Sequence, residues 1–251
     1  MITEKNIDEN FESILFLGDI HGDFYSISWY LKQKKLKNVL IIQVGDFGIG
    51  FKKEEIYDLR RVNSELEKRN SKLVAIRGNH DNPVYFEEDK YKFSNIHFLK
   101  DYTILNLTIN SIKQIKILCI GGAISIDRKV RTKNISYWEN EGMNFITDEK
   151  ELEKIKDINA IVTHTSPDFS SPFGFNSLVY SFAGSDKTLL DDLIMERKKL
   201  SEMMKIIFEN NKESLKYYFH GHFHMSNTFY YQDIKIECLS IEQFYSILTF
   251  Y

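Results

Sequence analysis

Residues 38–48 read "NVLIIQVGDFG", an apolar run that stops at Gly45 and Asp46. A short, continuous apolar run bounded by glycine matches a strand buried on both faces. The pattern recurs on either side. "SILFL" at 13–17 runs into Gly18-Asp19-Ile20-His21-Gly22, and "LVAIR" at 73–77 runs into Gly78-Asn79-His80-Asp81. Between these runs, Phe24, Ile27, Ser28 and Leu31, then Ile56, Leu59, Val62 and Leu66, fall at helical spacing. The chain therefore opens as β-α-β-α-β, the signature of a parallel sheet with helices on its face.

Farther along, the texture changes to strands in close succession: "IHFL" at 96–99, "TILNLTIN" at 103–110 and "QIKILCIGG" at 114–122. "NAIVTH" at 159–164 reads as another buried strand. The Ser/Pro/Gly-rich "SPDFSSPFGFN" at 166–176 is the clearest loop. A long amphipathic helix is expected over 186–208, with Leu189, Leu193, Leu200, Met204 and Ile207 on one stripe and "ERKKL" at 196–200 as its solvated face. Strands "LKYYFHG", "TFYYQ", "IKIECLS" and "FYSILTF" close the chain. Two sheets with helices outside them, in a single domain over 1–251, is the simplest architecture for this order.

A chain of 251 residues can bury a substantial core, and 43% hydrophobic with 27% charged residues is the balance of a soluble globular protein. A formal net charge of −3 gives no global basic field for nucleic acid or a membrane surface. Cys119 and Cys238 sit in apolar strands and read as buried free thiols of a reducing compartment. The first residues, "MITEKNIDENFESILFLGD", carry acids where a signal peptide carries positive charge, and no run reaches the roughly 18 apolar residues of a membrane span. The expected location is cytoplasmic.

The chemistry gathers at strand ends. To the three clusters above are added His164, closing "NAIVTH", and Gly221-His222-Phe223-His224, closing "LKYYFHG". Ligands of open α/β sheets bind beyond the carboxyl ends of the strands, so these five ends point to one place. Carboxylate, amide oxygen and imidazole suit Mn²⁺, Fe²⁺ or Zn²⁺, and the absence of cysteine argues against a structural zinc site. Seven such groups are too many for one catalytic ion and about right for two, held roughly 3.5–4 Å apart to clamp a phosphoryl group. Taken singly, the groups carry little weight: Asp and Asn also favour turns and caps, and a histidine after a strand is usually structural.

The ordered set GDIHG, GDFG, GNHD, His164 and GHFH resembles the calcineurin-like metallophosphoesterases over residues 18–224. The resemblance implies an α/β fold, a four-layer α/β/β/α sandwich of two mixed sheets flanked by helices. It implies that Asp19, His21 and His224 hold one metal ion, that Asn79, His164 and His222 hold a second, and that Asp46 bridges them. The two divalent ions are expected to be Mn²⁺, with Fe²⁺, Zn²⁺ or Ni²⁺ as alternatives. His80 resembles the family histidine that protonates the leaving oxygen or steadies the transition state, while a metal-bridging hydroxide attacks phosphorus. The narrower stretch "GGAISIDRKVR" with "YWENEG" looks like a branch of small bacterial and phage phosphoesterases.

One block departs from the protein-phosphatase pattern GDxxDRG: Ile49 and Gly50 stand where an Asp that orients the catalytic His and an Arg that grips phosphate are found. Arg77, Arg128 and Arg131 are the candidate phosphate-binding replacements. The departure disfavours a conventional protein phosphatase. A phosphorylated small molecule, a nucleotide or a phosphopeptide is the expected substrate. Monoester and diester cleavage both remain open, as do nucleic-acid ends. The competing class is a non-catalytic binding module on the same scaffold.

Smaller expectations complete the reading. His220 lies in the same "YFHGHFHM" stretch as His222 and His224 but is expected to pack rather than ligate. His97 is expected to be structural, Asp81 to bond its own loop, and Trp138 to pack a loop.

Overall fold

The computed structural model describes residues 1–247 apart from 53, 89 and 112. The N-terminal strand β1 (Thr3–Phe11) is followed by β2 (Ser13–Leu17), α1 (Phe24–Gln33), β3 (Val39–Gln43), α2 (Glu55–Glu67), β4 (Lys72–Ala75), α3 (Val84–Glu87) and β5 (Ile96–Phe98). Then come β6 (Thr103–Ile109), β7 (Lys113–Ile120), α4 (Glu149–Leu152), β8 (Ala160–Thr163), α5 (Ser177–Ala183) and α6 (Leu189–Asn210). The chain closes with β9 (Tyr217–His220), β10 (Asn227–Tyr231), β11 (Ile234–Cys238) and β12 (Phe244–Ile247). Residues 248–250 of the expected strand "FYSILTF" lie outside the described residues.

Two mixed sheets result. One has the order β12-β2-β3-β4-β5, in which only β12 is antiparallel to its neighbour. The other has the order β1-β6-β7-β8-β9-β11-β10, with antiparallel pairing at β6–β7 and β10–β11. The succession of strands read over 96–122 therefore spans both sheets. β5 ends the first, and the chain crosses at 99–102 to begin the second with β6.

Alternation along the strands sorts the core into three layers. Ile14, Phe16, Leu40, Ile42 and Val74 of one sheet meet Leu105, Leu107, Ile117, Val162 and Phe219 of the other. The outer face of the five-stranded sheet (Leu15, Leu17, Ile41, Leu73) packs on Ile27 and Leu31 of α1 and on Leu59, Val62 and Leu66 of α2. The outer face of the seven-stranded sheet (Leu118, Ile161, Tyr218) packs on Leu200, Met204 and Ile207 of α6. The layers run α/β/β/α, and strands flanked on both faces by apolar layers must be continuously apolar.

β1 carries no such signal. Its nine residues, TEKNIDENF, bury only Ile7 and Phe11, because it is the edge strand laid parallel on β6. Cys119 and Cys238 are buried and free. Among the described residues, no helix is long and apolar enough to cross a membrane.

Candidate metal centre

β2, β3 and β4 lie side by side in one sheet, and β8 and β9 lie side by side in the other. Their carboxyl ends meet across the sandwich. The loops there are knitted by backbone bonds: Ile20 N and His21 N donate to the Asp46 carbonyl at 3.1 and 2.9 Å, and Gly221 N donates to the His164 carbonyl at 3.1 Å. Asp19, His21, Asp46 and His224 bring one ligand atom each to within 4.8 Å of one another. His224 Nε2 lies 3.3 Å from Asp19 Oδ2 and 3.0 Å from His21 Nε2.

The remaining three groups adjoin this cluster. His164 Nε2 is 3.1 Å from Asp46 Oδ1 and 3.1 Å from Asn79 Oδ1, and the His222 ring stands edge-on to His164 at 5.0 Å. His220 ends β9, fully buried between Tyr218 and Phe223, and is not part of the cluster. His97 lies inside β5 and also takes no part.

Glycine makes the convergence possible in two different ways. Gly45, Gly22 and Gly48 adopt φ of +99°, +85° and +85°, as sharp turns off a strand require. Gly78 and Gly221 serve instead by having no side chain. A Cβ on Gly78 would stand 2.0 Å from Asp46 Oδ1, and one on Gly221 would stand 2.1 Å from Asp19 Oδ1. Four of the seven ligand candidates are themselves left-handed: His21 (φ 45°), Asp46 (55°), His222 (69°) and His224 (52°). Such backbone costs of order 1–2 kcal/mol per residue, and strain of this kind collects at functional sites.

The donor set fits divalent cations. His164 Nδ1 is 2.9 Å from the carbonyl oxygen of Val44, which fixes that nitrogen as the N–H donor and leaves the Nε2 lone pair facing Asp46 Oδ1 and Asn79 Oδ1. Three electron-pair donors converging in a buried site call for a positive charge between them. A proton answers the same demand: burial opposes charging His164, but Asp46 beside it outweighs burial and pushes the imidazole up to about 9. Burial likewise disfavours ionised Asp46, yet His164, with His80 and His21, holds its carboxyl well below the usual range. Two carboxylates, an amide oxygen and four imidazoles form a set suited to borderline ions.

The three arginines divide sharply. Arg77 is 2% exposed, and all five of its N–H groups are engaged. Nε meets Asp101, Nη1 meets the Asn140 and Glu141 carbonyls, and Nη2 meets Asp101 and the Gly142 carbonyl. No donor is left for a phosphate, so the expectation for Arg77 is corrected: it is a structural tie. Arg128 is clamped by Asp186 and Asp192, both at 2.6 Å, and also donates to Thr188, fastening its loop to the start of α6.

Arg131 alone reaches the cluster. Nη1 donates to Ser125 Oγ at 2.6 Å, and Nη2 stands 2.7 Å from His80 Nδ1. Because a guanidinium only donates, His80 Nδ1 must accept, and its Nε2 is left as the N–H. Burial, reinforced by Arg131 and His21, lowers the His80 pKa against the pull of Asp46. The carboxylate missing from GDxxDRG is thus replaced behind His80 by a cation.

Other expectations resolve here. Asp81 bonds more than its own loop: it accepts from Gly78 N at 2.7 Å and also from Phe47, Gly48 and Ile49 N, joining the GNHD and GDFG loops. Trp138 packs edge-on to Phe51 at 5.2 Å, a loop-to-loop contact. "ERKKL" is not wholly a solvated face: Glu196 and Arg197 are 4% and 8% exposed. They fall one turn from Leu193 and Leu200; the Ser/Pro/Gly loop folds over Arg197, and the loop at Ile124 meets Glu196. Arg197 holds that loop through the carbonyls of Ser166, Pro167, Ser170 and Pro172, and its guanidinium lies 5.4 Å from the ring of Phe223, between His222 and His224. Sequence reasoning also passed over Ser125 and Glu141. Ser125 Oγ accepts from Asn79 Nδ2 at 3.0 Å, while Glu141 accepts from Ser125 N at 2.8 Å and lies 3.5 Å from Arg131. Both fall in the stretches "GGAISIDRKVR" and "YWENEG", but neither has a ligand-type side chain at a strand end, so neither was given a role.

With the geometry in view, residues 12–226 match the model of the calcineurin-like phosphoesterase family. The chain belongs to that family. It is 26% identical over 234 residues to the Shewanella-like protein phosphatase 1 of Plasmodium berghei, covering 83% of this chain and 60% of that protein. Among solved structures, a putative 5′-nucleotidase from Staphylococcus aureus superposes with a TM-score of 0.51 at 12% identity, over 92% of this chain and 49% of the other. The phosphopantetheinyl hydrolase of Mycobacterium tuberculosis gives a TM-score of 0.47 at 12% identity over 92% of this chain and 91% of the other. The chain thus spans about 60% and about half the length of the first two relatives. The nucleotidase likeness bears on the fold, which agrees with the four-layer sandwich.

Proposed function

We propose that this calcineurin-like phosphoesterase hydrolyses phosphate esters at a centre of two divalent ions, acting on phosphomonoesters or small phosphodiesters. The observation that carries the reading is the meeting of Asp19, His21, Asp46 and His224 within 4.8 Å, with His164 and Asn79 both 3.1 Å from their neighbours at its buried side. Asp19, His21 and His224 would hold one ion and Asn79, His164 and His222 the other, with Asp46 shared. Mn²⁺ is the first candidate, with Fe²⁺, Zn²⁺ or Ni²⁺ as alternatives. When bound, such ions polarise phosphoryl oxygens and acidify water.

The chain's own residues supply the rest. His80, with Nδ1 accepting from Arg131, offers its Nε2 N–H as a neutral donor. That favours steadying charge on the phosphoryl or leaving oxygen over delivering a full proton. Arg131 adds fixed positive charge beside the site, and its partners Ser125 and Glu141 keep it there. A nucleotide, a phosphopeptide or a small phosphorylated metabolite fits this chemistry equally. A net charge of −3 offers no footprint for long nucleic acid.

The test offers purified protein with added Mn²⁺ p-nitrophenyl phosphate and its bis-ester, with Asp46→Asn as control. The wild type hydrolyses at least one of them, and D46N loses about a thousandfold or more of that rate, as expected when a transition-state charge clamp goes. Two bound ions without turnover across a broad phosphoester panel would favour the binding-module reading instead.

A further inference from the structure

Asn79 is the one amide among the ligand candidates, and turning its side chain over exchanges an acceptor for a donor at the site. Its amide oxygen suits a cation, and its NH₂ repels one. Which end faces inward is a matter of the groups behind it, because the two ends have nearly the same shape. Behind it stands Ser125, fully buried. Ser125 Oγ is 3.0 Å from Asn79 Nδ2 and 2.6 Å from Arg131 Nη1, and both of those nitrogens can only donate. Beside it lies the Glu141 carboxylate, which accepts from Ser125 N at 2.8 Å and is the negative group toward which the hydroxyl can turn its proton. The two accepted bonds occupy both lone pairs of the hydroxyl oxygen and leave it a single proton. Turning the Asn79 amide over would aim its oxygen at Ser125 Oγ and set it in competition with the Glu141 carboxylate for that one proton.

We propose that Ser125 is the positioning residue that selects the amide oxygen of Asn79 for the metal site. The inference rests on the metal reading above. Glu141 acts one step behind, as the carboxylate that draws the Ser125 hydroxyl proton to its own side and so leaves both lone pairs of Oγ free to accept. Arg131 shares the same oxygen, so a single hydroxyl ties the Asn79 ligand to the cation behind His80.

The test measures Mn²⁺ binding by calorimetry, independent of turnover, in a double-mutant cycle. Ser125→Ala should weaken binding at the site by about 10–100-fold, the usual effect of losing a partner that orients a ligand. Ser125→Thr keeps the hydroxyl and should keep the affinity. Asn79→Asp presents an oxygen whichever way the group turns, so adding S125A to N79D should cost about twofold or less. A loss confined to the Asn79 background supports the assignment, whereas equal losses in both backgrounds would make Ser125 a mere packing residue and overturn it, leaving the metal reading intact. A wild-type chain that binds no Mn²⁺, Fe²⁺, Zn²⁺ or Ni²⁺ overturns both. If S125A does not fold, Ser125→Cys, of similar volume and poor accepting power, takes its place in the cycle with the same outcomes.

Discussion

The two sides of the ligand cluster are built on different principles. On the closed side, His164 is fully buried, and its Nδ1 bond to Val44 O and the Asn79 bond to Ser125 set the directions of the His164 and Asn79 lone pairs. On the open side, the side chains of His21 and His224 are 29% and 45% exposed, and their Nε2 atoms point at each other 3.0 Å apart. There the contacts of both rings run through Nε2, to each other and to Asp46 and Asp19. The closed side is preorganised by the protein, and the open side faces the solvent from which a substrate arrives. Rigid support on one side with access on the other is what an ion-dependent hydrolytic site requires.

Two alanine variants break this comparison most strongly. His164→Ala should lose metal binding and also destabilise the fold by about 3–5 kcal/mol, because buried Asp46 loses its closest charge partner. His224→Ala should lose metal binding with a melting temperature close to wild type, since its ring is half solvated. Thermal melts beside calorimetry of the two variants check this, and equal destabilisation would erase the distinction.

The arginines give the next contrast. Arg131→Gln removes the cation behind His80 and should lower kcat about 10–100-fold with a minor change in stability. Arg77→Ala leaves Asp101 and three carbonyls without their partner and should cost about 3–5 kcal/mol of stability, while the folded fraction still turns over. Denaturant melts and steady-state kinetics on both variants separate the roles.

A smaller effect concerns the wall behind the closed side. Glu196 is buried, accepts from Ile124 N at 3.3 Å, and has its carboxyl pushed up to about 7 by burial. The folded state therefore holds this proton more tightly than the unfolded chain. Its contribution is full below the ordinary carboxylate range near 4.5 and is lost as pH rises to about 7, a fall of up to about 3 kcal/mol. Glu196→Gln removes that dependence, so wild type should lose stability relative to E196Q between pH 5 and pH 8, read by melts across that range. A parallel pair of pH profiles would show that Glu196 is not titrating there.

Much of the site was legible because its signals are local. A continuous apolar strand followed by glycine and a ligand-type side chain can be read within about ten residues, and five such ends give Asp19, His21, Asp46, Asn79, His164, His222 and His224. The elements that escaped have the opposite character. β1 pairs at an edge and buries two side chains of nine, so it shows no strand pattern. Glu196 and Arg197 look solvated in a charged pentapeptide, and they become interior only because the 166–172 loop lies on Arg197 and the loop at Ile124 lies on Glu196.

The sequence by itself determined which residue types gather at the strand ends and therefore the family and its four layers, since those depend on burial patterns and turns written into short segments. Only the tertiary structure decided which arginine reaches the cluster and what stands behind Asn79. Those choices rest on contacts between Asn79 and Ser125, 46 residues apart, between His80 and Arg131, 51 apart, and between Arg77 and Gly142, 65 apart. A hydrogen bond at such separation leaves no periodicity in the chain. It exists only once two sheets and a loop have been packed together.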